Sequence, residues 1–156
     1  FWKNISATTI DISQGFSNFK FPFAIEKDGI SFSDFYENRE VPIINQGEVE
    51  TGVKIKLKAQ LNTVVNPIIF NVETGEFIKL NTSLNVDDEI IINTNKGEKS
   101  ITKIIEGVSQ NKINDLENGS SWLQLAKGKN LFVYQSEENQ NYLSAIFEFY
   151  NLYKGV

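Results

Sequence analysis

The sequence predicts an all-β domain, an antiparallel β-sandwich built from two sheets. Clusters of β-branched and aromatic residues have the length of strands, and turn residues interrupt them about every 8 to 12 positions, as in known sandwiches. Residues Val53–Leu61 alternate between apolar and polar side chains, which is typical of a strand with one dry face. The pattern does not alternate strands with helices, so a βαβ fold is not expected.

The N-terminal part of the chain is predicted to supply a strand, a group of core aromatics and a hairpin. The strand covers Ile5–Ile12 and ends at Gln14-Gly15. The phenylalanines of Phe19–Phe23 occupy every second position, so they are expected on one face of the sheet, in the core. Lys27-Asp28-Gly29 is predicted to be a tight turn, because an Asp-Gly pair adopts positive φ easily, and Ile30 begins the return strand.

Two strands are predicted between residues 41 and 61. Val41–Ile44 contains Pro42, which has no N–H to donate, and this strand is therefore expected at a sheet edge. The second strand turns apolar residues to the core and lysines to solvent. The lysines are interpreted as a solvated face, and a basic stripe that meets an acidic partner is the alternative. The inward residues are expected to be Val53, Ile55, Leu57, Ala59 and Leu61, and the lysines are Lys54, Lys56 and Lys58.

The stretch Asn66–Ser100 is predicted to be a meander of short strands, opened by Pro67. Its turns are expected at Thr74-Gly75, Val86–Asp88 and Lys96-Gly97, where turn-forming residues cluster. The segments between these turns are too short and too often interrupted to be helices. They are Ile68–Phe70, Phe77–Leu80, Glu89–Ile92 and a strand over Ser100–Ile105.

The C-terminal part is predicted to contain a long connection, a hairpin and a final strand. The connection covers Gly107–Ser121. Trp122–Leu125 is expected to lead into Ala126–Asn130, a loop of hairpin length that contains Gly, and on to Leu131–Tyr134. The last strand, Tyr142–Tyr150, follows a polar turn at Glu137–Asn141 and alternates apolar with mixed side chains. Two apolar residues of the connection, expected to cover one end of the core, are Ile113 and Leu116.

Length and composition fit one domain, so residues 1–156 are predicted to form a single sandwich. The sequence contains no Met and starts at Phe1-Trp2, and it is therefore interpreted as a piece of a longer protein. Its net charge is −5 and no basic face is concentrated, so nucleic acid is not an expected partner. No apolar run approaches the roughly 20 residues that span a bilayer, so a membrane is not an expected partner either.

The residue types that are missing exclude most catalytic devices. The absence of Cys excludes disulfides and thiol nucleophiles, and the absence of His excludes Ser-His-Asp triads and His-ligated metals. Arg39 is the single Arg, so bidentate recognition of phosphate has one candidate. The sequence is therefore predicted to carry no catalytic residue, no cofactor-binding residue and no metal ligand, and not to be an enzyme.

Two acidic groups are the candidates for chemistry. Asp87–Glu89 supplies oxygens that suit calcium, but it lacks the alternating ligands of an EF-hand and is interpreted as a turn. Glu137 and Glu138, together with Glu148, would form a glycosidase pair only if two carboxyl groups lay about 5–9 Å apart. Sequence alone gives no such distance, and an enzyme is not the favoured interpretation.

Aromatic side chains are the remaining binding signal. Trp122, Tyr134 and Tyr142, with Tyr36 as a further candidate, would stack on sugar rings if they were exposed in one groove. The alternative is that they fill the core, and for Trp122 the neighbouring Leu123 favours that interpretation. Burial or exposure of these rings separates the two interpretations.

The order of short motifs along the chain resembles the C-terminal domain of siphophage distal tail proteins. Each motif alone is a weak turn or strand signature, and their order over nearly the whole chain is the specific feature. Two positions depart from the pattern, Val86-Asp87 in place of Gly-Asp and Lys129 in place of Asp, and both fall in turns. The motifs are Phe1-Trp2, Phe21-Pro22-Phe23, Asn45-Gln46-Gly47, Thr51-Gly52, Asn66-Pro67-Ile68-Ile69, Thr74–Ile78, Leu80-Asn81, Ile91–Thr94, Gly97–Lys99, Trp122–Leu125, Gly128–Asn130 and Tyr153–Val156.

The resemblance implies a galectin-like sandwich, similar in shape to the jelly rolls of carbohydrate-binding modules. It also implies an N-terminal domain, absent from this sequence, that forms a ring at the tail tip. The full-length protein is accordingly expected to be a homo-hexamer and this chain alone a monomer. The implied location is the phage tail tip of the virion, and the host bacterial cytoplasm during assembly. The family brings no catalytic residues to carry over.

Two functions follow from the sequence. The first is a structural adaptor of a phage or prophage tail tip or baseplate, which docks receptor-binding or other baseplate proteins by protein–protein contact. The second is a carbohydrate-binding module that contacts host cell-wall glycans through Trp122, Tyr134 and Tyr142.

Overall fold

The computed structural model of the protein describes residues 2–3, 8–11, 26–27, 30–31 and 40–153. The predicted architecture is confirmed, since two antiparallel sheets pack face to face as an all-β sandwich. The phenylalanines of Phe19–Phe23, the predicted turn Gln14-Gly15 and Arg39 lie outside the described residues.

One sheet has six strands, numbered here by their order along the chain. From edge to edge they are β12 (Val108–Asn111), β11 (Ser100–Ile105), β10 (Glu89–Asn93), β6 (Lys54–Ala59), β14 (Leu143–Phe149) and β2 (Thr8–Asp11). Every pairing is antiparallel, and β6 lies between β10 and β14. This sheet therefore joins strands that are far apart in the sequence.

The second sheet has five strands and forms the other layer. Its order is β5 (Glu40–Asn45), β13 (Gly128–Glu138), β7 (Val64–Asn71) and β8 (Phe77–Lys79), and β9 (Ser83–Leu84) continues the pairing along β7. Two short pairs complete the described strands. They are β1 (Trp2–Lys3) with β15 (Leu152–Tyr153), and β3 (Glu26–Lys27) with β4 (Ile30–Ser31).

The core lies between the two sheets and is built from alternate residues of each strand. Ile55 and Phe147 enter it from the six-stranded sheet, and Ile69 and Phe132 enter it from the five-stranded sheet. The rings of Phe132 and Phe147 meet with 5.9 Å between their centroids. Burying each such side chain contributes about 1.5–3 kcal/mol, so the facing rows of apolar residues hold the layers together.

Buried polar side chains fix the loops by bonding to the backbone. Asn45 donates to the carbonyl oxygens of Val49 and Leu125 and accepts from the Gly47 N–H. The Gly52 backbone packs against Asn95, where an added Cβ would lie 2.5 Å from the Asn95 Cα. The motif residues Asn45, Gly47 and Gly52 therefore serve loop geometry.

Several predicted elements are confirmed. Strands β3 and β4 pair with Lys27 opposite Ile30, as a hairpin requires, while Asp28-Gly29 of the predicted turn lie outside the described residues. Pro42 lies in β5, which has one neighbour among the described strands and so stands at an edge. Ser100–Ile105 matches β11 at both ends, and the inward residues of β14 are Ala145, Phe147 and Phe149, as the alternation predicted.

Four other predictions are wrong. Leu61 is exposed, because the chain leaves the strand after Ala59 and adopts a positive φ at Leu61. Pro67 lies inside β7, opposite Ser136, and does not open the strand. The stretch Asn66–Ser100 is not one meander, since β7, β8 and β9 belong to one sheet and β10 to the other. Trp122–Leu125 is not a strand, and the hairpin loop expected after it is occupied by the start of β13.

The predicted polar connection Gly107–Ser121 also contains a strand that the sequence pattern did not show. Glu106 and Gly107 have φ values of 50° and 80°, and they form a two-residue turn between β11 and β12. Leu116 packs against the core as predicted, whereas Ile113 is largely exposed. The pattern failed at β12 because all four of its residues are exposed and leave no apolar alternation.

Candidate functional site

A groove of about 650 Å³ lies on the outer face of the five-stranded sheet. Side chains alternate along β7, β8 and β13. Ile68 and Phe70, Lys79, and Gln135 are therefore the outward neighbours of the core residues Ile69, Ile78 and Tyr134, and they line this groove. We call it the outer groove. The residues that line it are Asn66, Ile68, Phe70, Lys79, Gln135, Ser136, Glu137, Asn139, Gln140, Asn141 and Tyr142.

An ion-paired cluster forms one part of the outer groove. Lys79 Nζ lies 2.8 Å from Glu137 Oε1 and 3.5 Å from Glu117 Oε1. Asn66 Nδ2 donates to Glu137 Oε2 over 2.8 Å. The cluster arises because β7 lies between β13 and β8, which brings three strands to one place on the face. Asn66 has a φ of 51°, a left-handed conformation that Asn tolerates better than most residues.

The cluster holds its groups in the charged state. The hydrogen bond from Lys79, followed by the one from Asn66, lowers the pKa of the Glu137 carboxyl below its ordinary value. The same bond to Glu137 raises the pKa of Lys79, although partial burial of the ammonium opposes this. One lysine faces two carboxylates, so the cluster keeps an excess negative charge at neutral pH.

Gln135 carries an unsatisfied acceptor in the wall of the groove. Its Oε1 atom is buried and makes no hydrogen bond to the protein. A buried acceptor without a donor costs about 1–3 kcal/mol, so this atom lowers the stability of the fold. Gln135 lies opposite Ile68 on β7, on the same face as the ion-paired cluster.

Of the candidate stacking residues, Tyr36 lies outside the described residues, and the structure places the other three in different surroundings. Tyr142 is half-buried, packs against the core and lines the outer groove. Trp122 is half-buried against the core, and Lys99 Nζ lies 6.0 Å from its ring centroid. Tyr134 is a core residue with 1% of its surface exposed, so its ring offers no face to a ligand. Among the three, Tyr142 alone lines this groove.

Three of the acidic candidates, Asp88, Glu89 and Glu137, are ion-paired with lysines. Asp88 pairs with Lys103 at 3.7 Å, and Glu89 pairs with Lys58 at 3.3 Å. Glu137 and Glu148 point away from the core on opposite sheets, so they face opposite sides of the sandwich. Over the described ranges, no three acidic, His or Cys side chains converge in a way that would hold a metal ion.

The groove residues Lys79, Asn66 and Gln135 were missed by sequence reasoning. They come together only when β13 pairs with β7 and β7 pairs with β8, and a local pattern does not show which strands pair.

No helix among the described residues has the length and apolar character to cross a membrane.

A second surface feature is the edge strand β12. All four of its residues are exposed and uncharged, and Val108 exposes 62% of its surface. Strand β5 is another edge strand with an exposed apolar residue, since Ile44 is 56% exposed. Pro42 in the same strand has no N–H to donate to a partner. Edge strands usually carry charges or Pro that discourage pairing, and β12 has neither.

Comparisons with known proteins agree with the resemblance to siphophage distal tail proteins. Residues 46–149 match the family described as siphovirus-type tail component, C-terminal domain. The fold is similar to the crystal structure of the SPP1 Dit protein, described as a paradigm of the hub adsorption apparatus in phages that infect Gram-positive bacteria. The TM-score is 0.62 at 11% identity, over 94% of this chain and 46% of that one. No curated protein sequence matches.

This chain therefore spans less than half of the SPP1 protein, and the structural likeness at 11% identity concerns the fold. The family match extends over more than half of the chain, from the loop after β5 to the end of β14. The chain belongs to the siphovirus-type tail component family, through the C-terminal domain of that family.

Proposed function

We propose that this domain is a structural adaptor of a phage or prophage tail tip, which docks a receptor-binding or another baseplate protein by protein–protein contact. Membership of a tail-component family supports a structural role in the virion tail, where no catalytic group is required. The observation that carries the docking role is the exposed, uncharged edge strand β12.

The backbone of β12 is arranged to accept another strand. Lys112 N–H donates to the Ile101 carbonyl, which makes this a hydrogen-bonded pair of the antiparallel ladder. Because such pairs alternate, Gln110 and Val108 also bond toward β11, whereas Ser109 and Asn111 direct their N–H and C=O groups away from it. A partner strand added at this edge would gain main-chain hydrogen bonds and cover Val108.

Docking is tested with the 156-residue chain and purified receptor-binding and baseplate proteins from the same tail gene cluster. Ser109→Pro removes an outward N–H without removing a bond to β11, and Val108→Lys places a charge on the edge. Each is expected to weaken binding about threefold to tenfold by biolayer interferometry, as the loss of one or two hydrogen bonds would. The matched control is Ile44→Lys on β5, which should leave affinity unchanged.

Two results would contradict the proposal. If none of the tail proteins binds the chain, the adaptor role is wrong. If Ile44→Lys weakens binding as much as Val108→Lys does, docking does not use β12. Circular dichroism of each variant establishes that the sandwich is folded before binding is measured.

We also propose that the full-length protein is a homo-hexameric ring and that this chain alone is a monomer. The family resemblance supports this assembly, since the ring is implied for the N-terminal domain. Light scattering after size exclusion measures both masses, and a hexamer of this chain alone would contradict the proposal.

Carbohydrate binding is the second candidate function, and a specific observation favours it. Tyr142 lines the outer groove beside five carboxamide residues, and carboxamides pair well with sugar hydroxyls. The burial of Tyr134 limits the stacking surface to fewer rings than the sequence suggested. A glycan array with the 156-residue chain tests this function separately from protein docking.

A further inference from the structure

We infer that one end of the sandwich, formed by four loops, is the docking surface for a protein that presents an apolar pocket flanked by lysine or arginine side chains. This inference rests on the adaptor function proposed above, and it adds the anchoring residues and the chemistry of the partner. We call this surface the loop end. Its loops are residues 60–63 between β6 and β7, 85–88 between β9 and β10, 106–107 between β11 and β12, and 139–142 between β13 and β14.

The strand pairings bring these four loops to the same end of the sandwich. Strand β6 ends at Ala59, which lies opposite Leu143, the first residue of β14. In the second sheet Val64, the first residue of β7, lies opposite Leu84, the last residue of β9. The turn from β11 to β12 is at this end too, because β10 begins here and pairs antiparallel with both β6 and β11. Strands β6 and β12 are three strand spacings apart, about 14 Å, so one partner can cover both.

The loop end concentrates exposed apolar side chains. Leu61 is 81% exposed, Val108 is 62% exposed and Val86 is 40% exposed. Among the described residues, the other large apolar side chains that are exposed are Ile44 and Ile113. Val108 is also the first residue of β12, so the loop end is continuous with the exposed edge of that strand. Such a concentration of apolar surface is typical of a protein interaction site.

Leu61 lowers the stability of the fold and gains no burial in return. The Asn62 N–H donates to the Gln60 carbonyl over 2.8 Å, and the φ of Leu61 is 70°, so the three residues form a γ-turn of the rare and strained kind. A bulky side chain rarely adopts positive φ, whereas Asn or Gly would do so more easily. Because strained residues cluster at binding sites, an exposed leucine in this turn is better explained by docking than by folding.

The neighbouring loops hold the γ-turn in place. The Gln60 N–H donates to the Tyr142 carbonyl over 2.7 Å, and Asn139 Nδ2 donates to the Thr63 carbonyl over 2.7 Å. Thr63 Oγ1 donates to Asn85 Oδ1 over 3.1 Å, which ties the first loop to the second. The exposed side chain of the turn is therefore positioned before a partner arrives, and this lowers the entropic cost of binding.

The charges of the loop end favour a basic partner. Asp87 and Glu106 are exposed beside the apolar residues, and within the part of the chain that the structure describes neither forms an ion pair. The four loops contain no Lys or Arg. A second copy of this chain, docked face to face, would bring like charges together, and an anionic lipid surface would be repelled as well. Lysine or arginine side chains around an apolar pocket would instead complement both acidic groups.

The test uses the 156-residue chain and the purified receptor-binding and baseplate proteins of the same tail gene cluster. Leu61→Asn replaces the anchor by a residue that tolerates positive φ, so the melting temperature should stay the same or rise while binding weakens about tenfold by biolayer interferometry. Val86→Thr keeps the branched shape of the side chain and should weaken binding about threefold. The matched control is Ile44→Asn, an exposed apolar residue on β5, which should leave affinity unchanged.

The charge of the partner is tested with a second variant. Asp87→Asn combined with Glu106→Asn removes both carboxylates, and Asn suits the φ values of 74° and 50° at these positions. Added salt should slow the association of the wild-type chain, because it screens the attraction between the two surfaces. The double variant should associate about threefold more slowly at low ionic strength and respond less to salt.

Each outcome supports or overturns a defined part of the inference. If no tail protein binds the wild-type chain, the adaptor function and this inference both fail. If a tail protein binds Leu61→Asn and Val86→Thr as tightly as wild type, the loop end is not the docking surface although the adaptor function stands. A melting temperature lowered by Leu61→Asn would assign this residue to the fold and overturn its role as an anchor.

The remaining outcomes concern the occupant of the loop end. Association that responds neither to salt nor to the double charge variant would overturn the basic partner. Light scattering of the chain alone tests for a second copy, and flotation with phosphatidylglycerol vesicles tests for a lipid surface. Self-association or vesicle binding that is lost in Leu61→Asn would overturn the protein partner proposed here.

Discussion

Lys103 and Lys79 are both paired with carboxylates, but the first pair is buried and the second lies at a surface groove. Lys103 is on the inner side of β11 in line with Ile101, and its side chain and that of Asp88 are each 8% exposed. It also donates to the carbonyl of Ser83 in the opposite sheet. Lys79 stands at the open outer groove, where its partners Glu137 and Glu117 are well exposed.

The two ion pairs differ in the surroundings of the charge that would remain if one partner were removed. Lys103 bridges the two sheets next to residues 85–88, where the chain passes from β9 to β10. Removing either partner of this pair leaves an unpaired charge in the interior. The Glu137 side chain in the groove is 54% exposed, so water would solvate its carboxylate if Lys79 were removed. The buried pair therefore serves the fold, and the exposed pair is free to serve a surface.

The largest expected effect comes from breaking the buried pair. Lys103→Met should lower the free energy of unfolding by about 3–5 kcal/mol, because Asp88 is left buried and unpaired. Urea denaturation followed by circular dichroism measures it. The double variant Lys103→Met with Asp88→Leu removes both charges and should recover most of the loss. A double variant as unstable as the single one would show that the contact with Ser83 matters more than the charge pair.

A smaller effect is expected at the groove. Lys79→Met should change the free energy of unfolding by less than about 1 kcal/mol in the same assay, because exposed ion pairs contribute little. If Lys79→Met and Lys103→Met destabilise the domain equally, the contrast between the two lysines is wrong.

The smallest effect is a shift in titration. The pKa of Glu137 is lowered in the fold, so its contribution to stability is present above its unfolded pKa of about 4.5 and is lost as pH falls through the folded value. The pKa of Lys79 is raised, so its contribution is present below 10.5 and is lost as pH rises through the folded value. Carbon-detected NMR titration of Glu137 should show its pKa return toward 4.5 in Lys79→Met. An unchanged pKa would mean that Asn66 alone sets it.

The lysines of this domain also show which side-chain directions can be predicted from the sequence. The alternation of Val53–Ala59 predicted a strand with lysines outside, and the structure agrees. The same rule would place Lys103 outside, yet it faces inward because Asp88 and Ser83 satisfy it there. No local pattern predicts these partners, because Asp88 and Ser83 lie in other segments of the chain.

The candidate site was the least predictable part. The sandwich follows from period-two patterns and turn residues, which act over a few positions. The outer groove needs Gln135 opposite Ile68 and Lys79 beside them, and these contacts join three separate strands. The burial of Tyr134 follows from its pairing with Ile69, which composition does not reveal. The short motifs of the sequence did indicate the family, because motif residues such as Asn45 and Gly52 fix loops of this fold.

The place of β13 and β14 within their sheets has a consequence for how the domain forms. Strand β13 lies between β5 and β7, and β14 lies between β6 and β2. The five-stranded sheet therefore lacks an inner strand until residue 138 has left the ribosome, and the six-stranded sheet lacks one until residue 149 has done so. Contacts between such distant segments make folding slow, and unpaired strands are open to aggregation in the meantime. We expect this domain to fold only after residue 149 has been synthesised.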